Sequence, residues 1–280
     1  MKFNIEVLHN ILRSFPEDLI NLPGMPNFDS TEINNSADNT MSLLEKDLGD
    51  AAILSDYYKC SKIRFYEILK LCYRYSNPNS RILDIGNAPG YLAQALVLSG
   101  HTIQGLNLSK EWDCTYPRRE MIEEFSIISC DIEKEDLPFP DNTFDSIIFA
   151  EVLEHIAIKN PCEIIPEFLR VLKPSGYLFF STPNVCNISN IIALSMGLNV
   201  FWDSSIFYGS TDRHNREFTP NEVLDLFTSA GFIAKEHYGI NDHANWRKGA
   251  AESTYKFLSE NPINHPLIRN TVIGVYQKPL

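Results

Sequence analysis

The 280-residue sequence lacks the features of several large protein classes. Its six cysteines are widely spaced and form no C-x-x-C pair, so we expect buried free thiols rather than a disulfide framework or a zinc site. No apolar run approaches the ~20 residues of a membrane-spanning helix, and the first residues lack the pattern of a signal peptide. We therefore expect a reduced, cytoplasmic protein without a membrane partner.

Positive charge is also scarce. Lys and Arg total 24 against 36 Asp and Glu, which gives a formal net charge of −12. Such a balance repels polyanions, and no local basic patch offsets it, so a nucleic-acid partner is not expected. Hydrophobic residues make up 44% and charged residues 21%, which excludes wholesale disorder and indicates a globular chain with a sizeable core.

The local pattern divides the chain into four parts. Residues 1–78 show helical spacing of apolar residues, interrupted at 21–40 by a Pro-, Asn-, Ser- and Asp-rich stretch that predicts a loop. In 79–182, apolar strands alternate with helices, which predicts a parallel α/β core. Residues 183–218 are too long for a simple connection and are predicted as a lid or substrate loop. Residues 219–280 return to the core with a capping-box helix and the last strands.

The predicted strands number seven. They are Arg81–Ile85, Thr102–Leu108, Phe125–Ser129, Asp145–Ala150, Tyr177–Ser181, Phe232–Tyr238 and Thr271–Gln277. Three predicted helices lie among them: Tyr91–Ser99, one that begins at Asn160-Pro161, and Thr219–Ala230.

A glycine-containing loop follows the first predicted strand, with the sequence Asp84-Ile85-Gly86-Asn87-Ala88-Pro89-Gly90. Small residues let the backbone approach a ligand closely, and the N-terminus of the next helix adds a favourable dipole. The loop lacks the G-x-G-x-x-G of nicotinamide-binding proteins, which disfavours a nucleotide-dependent oxidoreductase. The acid that precedes the loop suits a cationic or hydroxyl-rich ligand better than a pyrophosphate. Taken alone, the loop fits an ordinary strand-to-helix turn equally well.

Further segments follow in a set order, and together they carry a family resemblance. They are Asp131, the run Leu137–Asp145, Glu151-Val152-Leu153-Glu154-His155, and Leu172-Lys173-Pro174-Ser175-Gly176. With the loop they cover about Arg81 to Thr182, and they resemble the class I S-adenosylmethionine-dependent methyltransferases. The resemblance implies an α/β fold: a Rossmann-like, seven-stranded, mostly parallel sheet with an N-terminal helical cap and a lid insertion.

The resemblance also implies S-adenosylmethionine as cofactor and a set of residues that bind it. The implied set is Asp84, Gly86, Asn87, Gly90, Asn107, Asp131, Ile132, Ala150 and Glu151. Asp84 and the two glycines would hold the methionine and ribose parts, and Asp131 would meet the adenine amino group. Two positions depart from the family pattern. Ala88 replaces a glycine, which requires a negative φ, and Asn107 replaces the acid that usually binds the ribose hydroxyls, as a weaker neutral acceptor.

Glu151, Glu154 and His155 are spaced i, i+3, i+4, which predicts that one face of a helical turn carries all three. His214 lies downstream, ahead of the capped helix. The small-RNA 2′-O-methyltransferases and the ubiquinone-pathway O-methyltransferases have a similar E-x-x-E-H with a later His. By that resemblance these four side chains would bind a divalent cation, and Mg²⁺, Mn²⁺, Fe²⁺ and Zn²⁺ all stay open.

Two interpretations of this cluster stay open. A cation held beside two neighbouring hydroxyls would lower the pKa of one of them and create a nucleophile. Without a metal, the glutamates would stabilise the start of a helix, and His155 or His214 would act as general base. We expect methylation of a hydroxyl on a small-molecule acceptor that is sugar-like or catechol-like (an aromatic diol). Metal-independent N- or C-methylation and a non-catalytic cofactor-binding protein are the alternatives, whereas the net charge disfavours RNA.

Overall fold

A computed structural model describes the chain over residues 6–7, 10, 30–108, 125–201, 207–208, 213–242 and 268–280. Seven strands form one sheet in the order β3-β2-β1-β4-β5-β7-β6. They are β1 Arg81–Ile85, β2 Thr102–Asn107, β3 Ile128–Ser129, β4 Phe144–Ala150, β5 Leu172–Pro183, β6 Ile233–Ile240 and β7 Thr271–Gln277. All neighbours are parallel except β7, which runs antiparallel to both β5 and β6. The predicted seven-stranded, mostly parallel α/β sheet is therefore confirmed.

The following α-helices, numbered in chain order, accompany the sheet. They are α1 Thr31–Leu48, α2 Asp50–Ile53, α3 Asp56–Tyr75, α4 Tyr91–Leu98, α5 Pro161–Val171, α6 Ile188–Ser195 and α7 Pro220–Ser229, and a 3-10 turn spans Leu153–His155. None of these helices combines the length and the apolar character needed to cross a bilayer.

Two apolar clusters form the core, one on each face of the sheet. Helices α1, α3 and α4 pack on one face, and α5 and α7 pack on the other. Within β1, Ile82 belongs to the first cluster and Leu83 to the second, because successive side chains of a strand point to opposite faces. Covering helices on both faces explain why the central strands are apolar throughout.

The predicted loop at 21–40 is wrong over its second half, because Thr31–Thr40 lies in α1. Ser30 caps this helix, and its hydroxyl accepts a hydrogen bond from the amide of Ile33. Within that stretch only Ala37 and Thr40 are buried, so the apolar stripe becomes visible only from Met41 onward. The rest of the predicted loop, up to residue 29, lies outside the described residues.

The topology brings several strand ends together at one edge of the sheet. β1 lies between β2 and β4, with Ile85 beside Leu106 on one side and Phe149 on the other. Because these three strands are parallel, the loops that follow them meet at the same carboxyl edge, where open α/β sheets bind ligands.

Candidate functional site

The loop after β1 has backbone geometry that glycine alone allows at two positions. Gly86 has a φ of 73°, and a Cβ at this residue would lie 2.4 Å from Cγ2 of Val152. Gly90 has a φ of 95° and caps the N-terminus of α4. Ala88 is not among the residues with positive φ, as its replacement of a glycine requires. The loop therefore passes close to the segment after β4 and leaves open space on both sides.

Two adjoining cavities flank the loop and share Gly86 in their linings. The residues predicted for the cofactor all line one or the other: Asp84, Gly86, Asn87, Gly90, Ala150 and Glu151 face α3, and Asn107, Asp131 and Ile132 face the loops after β2 and β3. The structure thus gathers every predicted cofactor residue into one cleft.

Asp84 is the buried acid of this cleft. Only 4% of its surface is exposed, and burial raises its pKa to about 8. In the empty protein near neutral pH, Asp84 therefore carries a proton. A cationic ligand placed beside it would favour the ionised form, so the site suits a ligand with positive charge.

Sequence reasoning missed the polar residues that α3 contributes to the cleft, Arg64 and Tyr57. Arg64 lines the cavity next to Asp84 and is almost fully buried, and Tyr57 lies on the same face of the helix two turns earlier. The Arg64 guanidinium lies 2.9 Å from Asp242 Oδ2 and 3.6 Å from Glu151 Oε2. A signal was available: Arg64 falls in the apolar stripe of α3, between Ser61 and Ile68, where a charged residue needs a buried partner.

Asn107 at the end of β2 meets another amide. Its Nδ2 donates to Oδ1 of Asn87, and both side chains are buried. The Asn87 Nδ2 atom packs against Gly105, where a Cβ would approach it to 2.4 Å, and this atom has no hydrogen-bond partner in the described part of the chain. The position that an acid usually occupies is therefore filled by a neutral amide pair.

Asp131 and Glu133, after β3, order the far end of the cleft. Asp131 pairs with Lys134 at 2.6 Å, and this hydrogen bond lowers the pKa of the carboxyl group. Glu133 Oε1 accepts hydrogen bonds from the amides of residues 157–159, which follow the 3-10 turn. One carboxylate thus fixes the loop after β3 to the loop after β4 on either side of the second cavity.

Glu151 does not share a helical turn with Glu154 and His155. Its φ is 55°, and the 3-10 turn begins only at Leu153. Its carboxylate accepts a hydrogen bond from the Ser181 hydroxyl at 2.8 Å and faces Arg64. The prediction of a single face that carries all three side chains is therefore wrong, because Glu151 has a left-handed backbone conformation and lies before the turn.

Glu154, His155 and His214 do come together. Each offers a ligand atom, and these atoms lie within 4.8 Å of one another. Glu154 is fully buried, and burial together with the nearby Glu151 raises its pKa well above the usual range. Its Oε2 accepts from the Thr182 hydroxyl, whereas Oε1 has no hydrogen-bond partner among the described residues and lies 4.0 Å from His155 Nε2.

Backbone and side-chain contacts fix the two imidazoles. His155 Nδ1 donates to the Arg213 carbonyl at 3.0 Å, and His214 Nδ1 donates to Glu217 Oε1 at 3.0 Å. The Asn215 amide donates to the Glu154 carbonyl, so the segment at 213–217 is fixed to the 3-10 turn. With a proton on each Nδ1, Nε2 is the nitrogen of each ring that carries the basic lone pair.

Comparison with known proteins identifies the family. A family model described as a methyltransferase domain matches residues 83–180. A ubiquinone biosynthesis O-methyltransferase of Photobacterium profundum is 31% identical over 181 residues, which span 62% of this chain and 74% of the relative. The enzyme with the same description from Hydrogenovibrio crunogenus is 27% identical over 58% of this chain and 66% of the relative, so the match spans about two thirds of its length.

Solved structures agree on the fold. An S-adenosylmethionine-dependent methyltransferase from Archaeoglobus fulgidus superposes with a TM-score of 0.52 at 14% identity, over 80% of this chain and all of that one. A protein from Pyrococcus horikoshii gives a TM-score of 0.52 at 20% identity, over 81% of this chain and 93% of that one. The shared fold and the matched sequence relatives fit the glycine loop and the cleft that lie at the carboxyl edge of the sheet. The chain belongs to the class I S-adenosylmethionine-dependent methyltransferases and is an enzyme of that family.

Proposed function

We propose that this enzyme methylates a hydroxyl oxygen of a small molecule, either sugar-like or catechol-like, with an imidazole as the base. The observation that carries the proposal is the pair of imidazoles at the cofactor cleft. His155 lines the second cavity, and its ring centroid lies 5.1 Å from that of His214. Each ring has its Nδ1 in a hydrogen bond to the protein, so Nε2 is the basic nitrogen of each imidazole.

The relatives support oxygen as the acceptor atom, because their description is that of O-methyltransferases. A hydroxyl is a weak nucleophile while it keeps its proton, so its methylation needs a base at the acceptor. An unperturbed imidazole titrates near neutral pH and suits that task. The acidic balance of the chain supports a small acceptor rather than a polyanion.

The cleft residues have separate tasks in this mechanism. S-adenosylmethionine supplies an electrophilic methyl group on its sulfonium sulfur. Asp84 provides negative charge for the cationic ligand, and the backbone at Gly86 allows close approach. His155 or His214 removes the proton of the acceptor hydroxyl at Nε2, while Arg213 and Glu217 hold the rings in position. The chain thus contributes orientation and a proton acceptor, which are large terms in methyl transfer.

Replacement of the imidazoles tests the proposal. We expect His155→Gln and His214→Gln each to lower kcat by about 10²-fold or more, the contribution of a positioned base, while the Kd for S-adenosylmethionine stays within a few-fold. The assay measures S-adenosylhomocysteine formed with catechols and polyhydroxylated sugars, and NMR locates the methyl group on the product.

His101→Gln is the matched control, because His101 is a buried histidine at the start of β2 with no place in the cleft. Unchanged turnover in both site variants would contradict a histidine base. A product methylated on nitrogen or carbon would favour the metal-independent N- or C-methyltransferase instead.

A divalent cation in place of the histidine base is the alternative within this proposal, because an imidazole whose Nε2 holds an ion cannot also take the acceptor proton. The Glu154 carboxylate favours this alternative. Glu154 Oε1 is buried, has no hydrogen-bond partner among the described residues and lies close to two imidazoles, and a cation would satisfy such a set of donors. Glu154, His155 and His214 would hold the ion, whereas Glu151 faces Arg64 and Ser181. Two imidazoles with one carboxylate suit Fe²⁺, Zn²⁺ or Mn²⁺ better than Mg²⁺. When bound, such an ion would lower the pKa of an acceptor hydroxyl.

Metal binding can be measured without turnover. We expect chelator-treated protein to bind Mn²⁺ with a change in its electron paramagnetic resonance signal, and Glu154→Gln to lose that binding. Glu151→Gln is the matched variant and should keep it. Absence of Mn²⁺, Zn²⁺ and Fe²⁺ binding in the native protein, with activity that survives chelation, would contradict the metal and leave the histidine base.

A further inference from the structure

A buried ion pair joins two segments that are far apart in sequence. Arg64 on α3 donates through Nη1 to Asp242 Oδ2 at 2.9 Å, and both side chains are almost fully buried. Asp242 follows the end of β6, 178 residues after Arg64 in the chain. A charge pair in such a place costs desolvation and is weak evidence for stability alone.

Both oxygens of Asp242 are engaged. Oδ1 accepts from the hydroxyl of Thr271, the first residue of β7, at 2.9 Å, and Thr271 is itself fully buried. The Ser61 hydroxyl accepts from Arg64 Nη2 at 3.0 Å. The guanidinium is therefore held from two sides, by its own helix and by the β6 and β7 strands through Asp242 and Thr271.

Among the described residues, Arg64 is the one basic residue that lines the cavity next to Asp84. The cofactor carries one carboxylate, one ammonium and one sulfonium, so its amino-acid end needs one cationic partner. Asp84 and Glu151, which line the same cavity, suit the positive groups. Arg64 is left as the group that faces the carboxylate, and its geometry decides how well that carboxylate is bound.

Glu151 alone cannot fix the guanidinium. It lies 3.6 Å from Arg64, beyond a good hydrogen bond, and it already accepts from Ser181. We propose that Asp242 is a positioning residue for cofactor binding, which holds the Arg64 guanidinium toward the cofactor carboxylate without touching the cofactor itself. The inference rests on S-adenosylmethionine as cofactor and is independent of the acceptor and of any metal.

Two ligands that differ by one group test this role. We expect Asp242→Asn to weaken binding of S-adenosylmethionine about tenfold or more, and to leave decarboxylated S-adenosylmethionine, which lacks the carboxylate, within about twofold. Arg64→Gln should show the same selective loss. In the double variant the loss should not exceed that of Arg64→Gln, because Asp242 acts through Arg64. Calorimetry on the full chain measures each Kd, and the acceptor assay should show a raised KM for the cofactor with little change in kcat.

Glu236→Gln is the matched control, since Glu236 is a buried β6 acid that pairs with Arg74 and Tyr75 outside the cleft. It should change unfolding without changing either Kd. If Asp242→Asn does not fold, Thr271→Val removes the hydroxyl that orients Asp242 and should give a smaller loss of the same selectivity. Equal weakening of both ligands by Asp242→Asn or Thr271→Val would overturn the proposal. If Arg64→Gln binds both ligands as the native protein does, the carboxylate partner lies elsewhere and the proposal fails, although the protein still binds the cofactor.

Discussion

Three carboxyl groups at the edge of the sheet differ in their surroundings, and the differences set their roles. Asp84 is buried without a charge partner close enough to lower its pKa, so it stays protonated in the empty cleft. Glu151 is partly exposed and shared between Ser181 and Arg64. Glu154 is fully buried and keeps one oxygen without a hydrogen bond among the described residues. The same functional group, a carboxyl, thus supplies a charge that responds to a cationic ligand, a contact between Ser181 and Arg64, and a donor atom.

Asp84→Asn should abolish cofactor binding and stabilise the empty protein. The folded pKa of about 8 lies above the value of an unfolded aspartate, so folding binds a proton between about pH 4 and 8. The native chain therefore loses stability as pH rises through this window, whereas the variant does not. Urea unfolding should show that the stability of the variant relative to the native protein rises from pH 5 to pH 8, by about 3–4 kcal/mol.

Asp145→Asn serves as the control for this prediction. Partial burial of Asp145 is outweighed by Lys173 and the Arg81 amide, which lower its pKa. Its ionised form stabilises the fold, so its replacement should destabilise near neutral pH. A stability difference for Asp84→Asn that does not change with pH, or undiminished calorimetric binding of S-adenosylmethionine, would contradict the assignment of Asp84.

Asn107→Asp should tighten cofactor binding several-fold. A carboxylate accepts hydrogen bonds from ribose hydroxyls more strongly than an amide does. The Asn87 side chain now presents Oδ1 to Asn107, and rotation of its amide would present Nδ2 to the new carboxylate instead. Asn107→Ala provides the reference without a polar group. Weaker calorimetric binding of S-adenosylhomocysteine in the aspartate variant than in the native protein would show that the amide pair, and not charge, is optimal here.

At the scale of secondary-structure elements, the spacing of apolar residues predicted the strands but missed the first ten residues of α1. β1 and β4 are buried on both faces and were visible as short apolar runs. The first ten residues of α1 were not visible, because Ala37 and Thr40 are the buried positions and neither is strongly apolar. These positions are buried because α1 packs against α3. A contact between two separate helices is not visible in the local sequence pattern.

The predicted capping box of α7 is confirmed, and its contribution can be measured. The Thr219 hydroxyl accepts from the Glu222 amide, and the Glu222 carboxylate accepts from the Thr219 amide. Thr219→Ala should lower the free energy of unfolding by about 1 kcal/mol. Thr228→Ala on the same helix removes a hydroxyl bonded only to backbone carbonyls and should be close to neutral. Equal effects of the two changes in urea unfolding would contradict a capping role.

The residues of the candidate site also fall into two groups, those that the sequence pattern located and those that it missed. The glycine loop, Asn107 and Asp131 follow strand ends in sequence order, so the motif pattern located them. Arg64 and Asp242 meet only because α3 covers the sheet near the ends of β6 and β7, and 178 residues separate them. Glu151 was assigned to the wrong turn because a left-handed residue before a 3-10 turn leaves no mark in the sequence. Local chemistry was predictable, and long-range pairing was not.

At the scale of the whole molecule, the net charge of −12 bears on the class of acceptor. Electrostatic attraction to phosphates supplies most of the affinity of proteins for RNA without sequence preference, and an acidic surface opposes it. We expect no binding of a labelled single-stranded RNA at micromolar protein and about 0.15 M salt, measured by fluorescence anisotropy. Micromolar or tighter binding that weakens with added salt would indicate a polynucleotide acceptor and contradict the small-molecule proposal.

Strand β7 lies inside the sheet between β5 and β6, although it follows both in the chain. During synthesis on the ribosome, the edge of β5 that pairs with β7 therefore stays without its hydrogen-bonding partner until residues 271–277 have been translated. That edge belongs to a strand whose Leu178, Phe179 and Phe180 are fully buried in the finished protein. An unpaired apolar edge invites association with other nascent chains. The order of the strands in the chain thus leaves the apolar edge of β5 open to such association until β7 has been translated.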